Sequence, residues 1–326
     1  MFKNIIGHKN IISFLEKSIK NDEVSHAYLF YGPKHLGKRT VAEKFVEALL
    51  GQSIANHPDV YLVEREKREK EEKLSKNISI EQMRELERKL SLSSFLNSYK
   101  IGIIEEAETL SQEAANSLLK TLEEPTAKTV IFLLSSNVSA LPATIVSRCQ
   151  VLKFLPVSQN KIYEHLVNLG AKRDTALNLA KISWGKPGRA LNFWKSQNEK
   201  ERASDLKDYQ EKMDSLIRLM DANLFSKRMK VVETFFSEGK DSDDLISALN
   251  KVLLLWSSLL RDAVLVKNGC EDLIFNVAPL EKLKEIAGSF NNETFFKLHR
   301  EIKLSSQYLK ENFNSRLVLE NLVLSF

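Results

Sequence analysis

The chain has 326 residues, more than one domain usually holds, so its length predicts two or three domains. Its residues are 43% hydrophobic and 28% charged, and no apolar run approaches the length of a membrane span, which fits a soluble globular protein and excludes a membrane-spanning one. The net charge of +5 is mild, so it permits contact with nucleic acid without requiring it.

The cysteines and the N-terminus predict a reducing compartment. Cys149 and Cys270 lie far apart in the sequence and offer no disulfide framework. The first residues lack the apolar core of a secretory signal peptide. We therefore expect the protein to work in the cytoplasm, away from membranes.

The first elements predicted along the chain are a helix, a strand and a second helix. Apolar residues recur at helical spacing from Lys9 to about Lys20, and the apolar run Ala27–Tyr31, bounded by turn residues, predicts a buried strand. A further helical pattern covers residues 41–50. The sequence GPKHLGKRT, at positions 32–40, joins the strand to this second helix.

This junction has the pattern of a phosphate-binding loop. Gly32 and Gly37 allow the backbone to turn its N–H groups toward a phosphate, and Lys38 is placed to reach the terminal phosphates. The pattern requires Ser or Thr directly after the lysine, as a ligand of Mg²⁺, but Arg39 holds that position and Thr40 comes one residue late. Nucleotide binding and nucleotide hydrolysis are therefore separate questions. The alternative is a vestigial loop that is kept only for its turn.

A second candidate element is the apolar strand at 100–104, which ends in two carboxylates, Glu105 and Glu106. At such a strand end, beside a phosphate loop, nucleoside triphosphatases bind their metal and polarise the attacking water. Glu105 is one methylene longer than the aspartate that normally faces the metal, and Glu106 holds the position of a catalytic base. The alternative is that both acids only cap the element that follows.

Further strands alternate with helices as far as residue 156. Apolar runs predict strands at 60–63 and 130–134, helical patterns cover 80–92 and a segment that Ser111 caps, and Ser135 follows the last strand as a further candidate for nucleotide contact. Alternation of this kind predicts a parallel sheet with crossover helices. Beyond residue 156 the pattern is helical, with short helices closed by a turn at 185–188 and a longer helical region from 203 to 326.

Three short motifs connect the chain to a known family. HAYLF at 26–30, AANSLLKTLEEP at 114–125 and SRCQ at 147–150 resemble, in order and spacing, bacterial clamp-loader subunits of the AAA+ superfamily. The resemblance covers nearly the whole chain and implies an α/β fold. It consists of a P-loop domain with a parallel five-stranded sheet at 1–157, a small helical lid at 158–202 and an all-α collar for oligomerisation at 203–326. Most apolar positions of the collar also form its own core.

Departures from the family motifs favour a delta-prime-like subunit over an ATP-hydrolysing motor subunit of the gamma/tau type. Arg39 replaces the Mg²⁺ ligand, Glu105 replaces the strand-end aspartate, and Gly188 stands where motor subunits carry their sensor-2 arginine. The motor alternative, in which Lys38 and Glu106 would turn over ATP in cis, stays open.

The same resemblance implies that Arg148 acts in trans, on nucleotide bound by a neighbouring subunit. A guanidinium supplied in trans can stabilise the charge that develops on a transferred phosphoryl group. The alternative is that Arg148 only pairs with a nearby carboxylate of its own chain.

The implied partners are other clamp-loader subunits, delta and gamma/tau, in a hetero-oligomeric ring that loads a sliding clamp on primer–template DNA. The chain is then a component of the DNA-directed DNA polymerase III holoenzyme, without being a competent ATPase or polymerase itself. We expect at most weak binding of ATP or ADP. Many relatives carry a four-cysteine zinc module after the phosphate-loop helix, but residues 51–59 contain no cysteine, so we expect neither zinc nor another resident metal.

Overall fold

A computed structural model gives the fold and describes residues 2, 4–55, 57–66, 75–94, 99–126, 128–195, 199–220, 225–236, 242–274 and 280–326. The chain divides into two compact units, Met1–Ala171 with Gly185–Leu191, and Lys172–Trp184 with Asn192–Phe326. The first unit is α/β and holds the predicted phosphate loop. The predicted division into three domains, with boundaries at 157 and 202, stays a prediction.

A five-stranded, all-parallel sheet forms the centre of the first unit, as the alternating pattern predicted. Its strands are β1 (Ala27–Tyr31), β2 (Val60–Val63), β3 (Lys100–Ile104), β4 (Thr129–Ser135) and β5 (Gln150–Lys153). Their spatial order is β2-β3-β4-β1-β5. Because all the strands are parallel, the segments that follow β1, β3 and β4 meet at one edge of the sheet, which is the place where this class of fold binds its ligands.

Six helices accompany this sheet in the first unit. They are α1 (Lys9–Lys20), α2 (Lys38–Leu50), α3 (Ile80–Ser91), α4 (Gln112–Glu123), α5 (Ala143–Val146) and α6 (Gln159–Asn168). Two of them begin at serine caps, because a free backbone N–H of the first turn needs an acceptor. Ser79 and Gln82 form a reciprocal capping box at α3, and the Ser111 hydroxyl accepts from the Ala114 N–H at 3.1 Å, as predicted for α4.

The two faces of the sheet bury two separate apolar layers. Tyr28, Phe30 and Phe132 lie in the layer beneath α1 and α2, while Leu29 and Leu133, their neighbours along the strands, lie in the layer beneath α3 and α4. This alternation follows from the period of two residues in a strand. The ring centroids of Tyr28 and Phe132 are 5.4 Å apart, and those of Phe30 and Phe132 are 5.6 Å apart. Packing on both faces therefore fixes the ends of β1 and β4, from which the candidate site is built.

The second unit is helical throughout its described residues. Its helices are α7 (Arg173–Ile182), the end of α8 (Pro187–Lys195), α9 (Glu199–Met220), α10 (Phe225–Phe236), α11 (Ser242–Lys267), α12 (Leu280–Ser289), α13 (Asn292–Lys310) and α14 (Ser315–Val323). Trp256, on α11, is fully buried, and its indole N–H donates to the Lys212 carbonyl at 3.2 Å. Its ring lies 6.0 Å from those of Phe235 and Phe326. No helix within the described ranges is both long enough and apolar enough to cross a membrane.

The turn predicted at 185–188 ends earlier than the sequence suggested. Gly185 has a φ of 68°, as a tight turn requires, but α8 already begins at Pro187. Proline favours the first position of a helix, because its φ is preset and its missing N–H is not needed there. Gly188 therefore lies in the first turn of α8.

Candidate nucleotide-binding site

The predicted phosphate loop joins β1 to α2, and its two glycines serve different purposes. Gly32 has a φ of 145°, and a Cβ at this position would lie 2.3 Å from the Phe154 carbonyl oxygen. Its N–H donates to the Ser135 carbonyl at 3.1 Å, which ties the start of the loop to the end of β4. Gly37 has a φ of 86° at the N-cap of α2, with open space around the missing side chain. The first glycine allows close approach of two backbones, and the second supplies only a left-handed conformation.

The loop lysine turns back onto its own loop. The Lys38 Nζ donates to the carbonyl oxygens of Gly32, at 2.5 Å, and Pro33, at 2.9 Å. Burial lowers the pKa of Lys38 to about 8, and the negative charge of Glu108 only partly opposes this effect. The amine is therefore placed for a phosphate and mostly protonated at neutral pH, but it loses its charge at a lower pH than an ordinary lysine does.

Arg39, which replaces the Ser or Thr of the loop pattern, contacts Glu105, which replaces the aspartate expected at the end of β3. Its Nη1 lies 3.1 Å from a carboxylate oxygen of Glu105 and 3.7 Å from one of Glu64, while its Nε donates to Glu43 at 2.8 Å. Burial raises the pKa of Glu105, and the charge of Arg39 opposes that shift. Thr40 is exposed on α2.

This arrangement fits a phosphate better than it fits Mg²⁺. The glycine turn and Lys38 of a phosphate site are present, but the guanidinium of Arg39 lies against the strand-end carboxylate that would face a metal ion. A metal there would have to displace a cation from Glu105. Among the residues that the structure describes, no group of three or more His, Cys, Asp or Glu side chains could hold a metal ion. The expectation that the chain binds no zinc stays a prediction, which elemental analysis tests.

Glu106, the candidate base, is held by two cations. Its backbone is left-handed, with φ 47° and ψ 46°, which is uncommon for a residue other than glycine. Its carboxylate accepts from the Lys34 ammonium and from Arg65, whose Nε lies at 2.6 Å. Burial raises the pKa of Glu106, but the hydrogen bonds and charges of Lys34 and Arg65 outweigh burial and lower it overall. A carboxylate that is ion-paired in this way is a poor proton acceptor. The sequence patterns did not predict that Lys34 and Arg65 would contact Glu106.

Ser135 takes part in the site through its backbone. The residue is fully buried at the end of β4, its carbonyl accepts from Gly32, and its hydroxyl accepts from the Asn137 N–H at 3.1 Å. The next residue, Ser136, donates its N–H to both carboxylate oxygens of Glu108 at 3.1 Å. The structure thus brings the predicted Ser135 to the loop, but its hydroxyl stabilises a turn.

Two further groups contact the loop from outside. The Gly188 N–H donates to the His35 carbonyl at 2.9 Å, and a Cβ on Gly188 would lie only 3.0 Å from that oxygen. Gly188, which the family resemblance predicts to replace a sensor-2 arginine, therefore packs directly on the loop backbone. His8 Nε2 lies 3.0 Å from the Leu36 carbonyl, and the His8 ring lies 4.7 Å from that of Phe154. Sequence reasoning missed His8, because its contact depends on where α1 begins.

Arg148 lies away from the loop of its own chain. β1 and β5 pair in parallel, with Tyr28 beside Gln150. The loop follows β1 whereas Arg148 precedes β5, so about 10 Å of strand separates their levels in the sheet. The Arg148 Nη2 lies 2.6 Å from a carboxylate oxygen of Glu123, and its Nη1 donates to the Thr144 carbonyl at 2.9 Å. Of the predicted site residues, Arg148 alone is placed at the opposite edge.

Comparison with known proteins shows what this fold and loop are similar to. A family model described as "DNA polymerase III, delta subunit" matches residues 7–158. DNA polymerase III subunit delta' of Bacillus subtilis is 25% identical over 335 positions, which cover 96% of this chain and 94% of that one. The corresponding subunit of Pseudomonas aeruginosa is 37% identical over 142 positions, covering 38% of this chain and 42% of that one.

A DNA polymerase III gamma subunit matches about half of this chain. DNA polymerase III subunit gamma of Buchnera aphidicola is 31% identical over 173 positions, which cover 51% of this chain. The match spans 48% of that relative, so the chain aligns with about half the length of this protein. The parallel sheet, the phosphate loop and these matches agree with one another. Together they support a member of the DNA polymerase III clamp-loader family, to whose subunits this chain is similar.

Proposed function

We propose that this chain is a delta-prime-like clamp-loader subunit that does not hydrolyse ATP itself and supplies Arg148 to nucleotide on a neighbouring subunit. The observation that carries the proposal is the contact between Arg39 and Glu105. Phosphoryl transfer depends on a metal ion that bridges the phosphates and neutralises their developing charge. With a guanidinium against the metal-facing carboxylate and Glu106 paired with two cations, the site lacks both the metal ligand and a free base.

The position of Arg148 supports the second part of the proposal. Because it precedes β5, it lies at the sheet edge opposite its own phosphate loop, which supports a role toward a nucleotide held by another subunit over one toward its own. Its side chain is about one-third exposed, with a relative accessibility of 35%. A partly exposed ion pair contributes at most about 1 kcal/mol, so the pair with Glu123 does not prevent Arg148 from contacting a phosphate.

The relatives suggest the partners. The proposed setting is a ring with delta and gamma/tau subunits in the cytoplasm, which acts on a sliding clamp and primer–template DNA through the whole complex. In this proposal residues 158–202 form the lid and residues 203–326 form the collar that joins the subunits. The match to the Bacillus subtilis delta' subunit covers nearly the full length of both chains, so it supports the assignment of residues beyond the phosphate-loop region as well.

The test is the DNA-stimulated ATPase of a reconstituted complex carrying Arg148→Ala. We expect turnover at the neighbouring site to fall by ~10³ or more, as when an arginine finger is lost. Arg84→Ala is the matched control, because Arg84 is an exposed arginine of the same unit, on α3. Assembly is checked by gel filtration. Full activity of a correctly assembled Arg148→Ala ring would remove Arg148 from the mechanism.

The alternative is an ATP-hydrolysing motor subunit of the gamma/tau type, which the retained Lys38 and the match to the Buchnera aphidicola gamma subunit favour. The two functions separate in the isolated chain. A motor subunit hydrolyses ATP at a rate near 1 s⁻¹ or above, and Lys38→Ala abolishes that activity. We expect no such turnover, and finding it would overturn the non-hydrolysing assignment.

A further inference from the structure

The guanidinium of Arg148 is held at three points and is still accessible. Its Nη2 lies 2.6 Å from Glu123, and its Nη1 donates to the Thr144 carbonyl at 2.9 Å and lies 3.5 Å from the Ser147 hydroxyl. A guanidinium has five N–H donors, so three contacts leave donors for a phosphate. These contacts fix the plane of the guanidinium and leave N–H donors available for a further ligand.

Both ends of the ion pair rest on rigid backbone. Glu123 is the last residue of α4, directly after Leu122, which is 2% exposed in the core. On the other side, the Arg148 N–H donates to the carbonyl of Ile145, which is fully buried in the same core. The distance between the two side chains is therefore set by packed elements.

The location of Glu123 is unfavourable for α4 alone. The carbonyl end of a helix carries partial negative charge, so a carboxylate in the last turn destabilises the helix unless a cation lies close to it. The last turn of α4 itself carries one cation, Lys120, and Arg148 supplies another from a different part of the chain, in direct contact with the carboxylate. Since an exposed pair adds little to folding stability, orientation of the guanidinium is the better explanation for an acid at this position.

We propose that Glu123 is the positioning residue of Arg148, holding its guanidinium extended at the amino edge of the sheet so that it enters the neighbouring nucleotide site already oriented. The inference rests on the proposed trans function of Arg148. Loss of Glu123 leaves the arginine present but free to rotate, and misplacement of a group by about 1 Å costs up to ~10²-fold in rate. We expect Glu123→Ala to reduce turnover about tenfold, less than Arg148→Ala does.

The experiment measures kcat and KM of the DNA-stimulated ATPase in the reconstituted complex. Glu123→Ala is expected to lower kcat with KM for ATP unchanged, because the effect arises at the transition state. Glu123→Gln keeps the side-chain length and an acceptor oxygen, so it should recover part of the loss. Glu124→Ala is the matched control, since Glu124 is the adjacent exposed acid. In an Arg148→Ala background, Glu123→Ala should cause no further loss.

The outcomes separate the two proposals. If Arg148→Ala lowers kcat but Glu123→Ala does not, or raises it, the positioning role is wrong and the arginine finger stands. If Arg148→Ala leaves kcat unchanged, the proposed function itself fails. If Glu123→Ala prevents assembly, the assembled Glu123→Gln ring decides, and kcat equal to that of the unmodified ring would overturn the inference.

Discussion

The sharpest test of the loop geometry compares alanine at its two glycines. Gly32 and Gly37 both have φ in the left-handed region, at 145° and 86°, so alanine is strained at either position. They differ in what the new methyl group meets. At Gly32 it lies 2.3 Å from the Phe154 carbonyl oxygen, whereas at Gly37 nothing lies within 4 Å.

The expected free energies of unfolding follow from this difference. Backbone strain alone predicts that Gly37→Ala destabilises the first unit by about 1–2 kcal/mol. Gly32→Ala adds an overlap with backbone atoms, which cannot rotate away, and overpacking of this kind costs about 1–3 kcal/mol more. Gly32→Ala should therefore destabilise by about 2–5 kcal/mol, a large part of the 5–15 kcal/mol typical of a domain.

Amide hydrogen exchange of β1 and β4 peptides measures this effect where it occurs. All three tryptophans, Trp184, Trp194 and Trp256, belong to the second unit, so urea unfolding followed by tryptophan fluorescence serves as the control for that unit. We expect lower protection of β1 and β4 in Gly32→Ala and a nearly unchanged fluorescence transition. Equal loss of protection in the two variants would refute the argument that Gly32 is required for close approach to Phe154.

Three further predictions concern charges at the site. The ion pairs of Glu106 lower its pKa, so their stabilisation of the fold is complete above the ordinary glutamate pKa and is lost as the pH falls through the lowered value. Glu106→Gln lacks this contribution. Its urea midpoint should therefore decrease less between pH 7 and pH 3.5 than that of the unmodified chain. The pKa of Lys38 is lowered to about 8, so the affinity for metal-free ATP, measured by calorimetry, should fall about tenfold between pH 7.5 and pH 9, and Lys38→Met should abolish this dependence. Because Arg39 lies against Glu105, Mg²⁺ should change ATP affinity less than about twofold, and tight binding that strictly requires Mg²⁺ would contradict the structure of the site.

Local patterns in the sequence predict most of the α/β unit. The bounds of β1, Ala27–Tyr31, and of β2, Val60–Val63, agree with the apolar runs, since both are short apolar segments between turn residues. The predicted helix Lys9–Lys20 is also confirmed, because its apolar face repeats over three turns. Such signals depend only on neighbouring residues and on the two periods of regular structure.

The contacts of the candidate site could not be predicted in the same way. Arg65 reaches Glu106 only because β2 lies beside β3, and the two residues are 41 positions apart. The loop motif showed that Arg39 stands in place of a metal ligand. It could not show that the Arg39 guanidinium contacts Glu105. That contact follows from the spatial order of strands, which places the end of β3 near α2. Sequence spacing contains no information of this kind without the register of the sheet.

The paired departures in the loop also have a consequence for substitutions at the site. Restoring a motif threonine at Arg39 would leave Glu105, whose pKa burial already raises, without its cation. Restoring the sensor arginine at Gly188 would push a side chain against the His35 carbonyl, only 3.0 Å from the new Cβ. Under the proposed function, each substitution alone destabilises the loop and neither alone makes it hydrolytic. Because Arg39 and Glu105 contact each other, conversion of this loop to one that binds Mg²⁺ requires changes at both positions together.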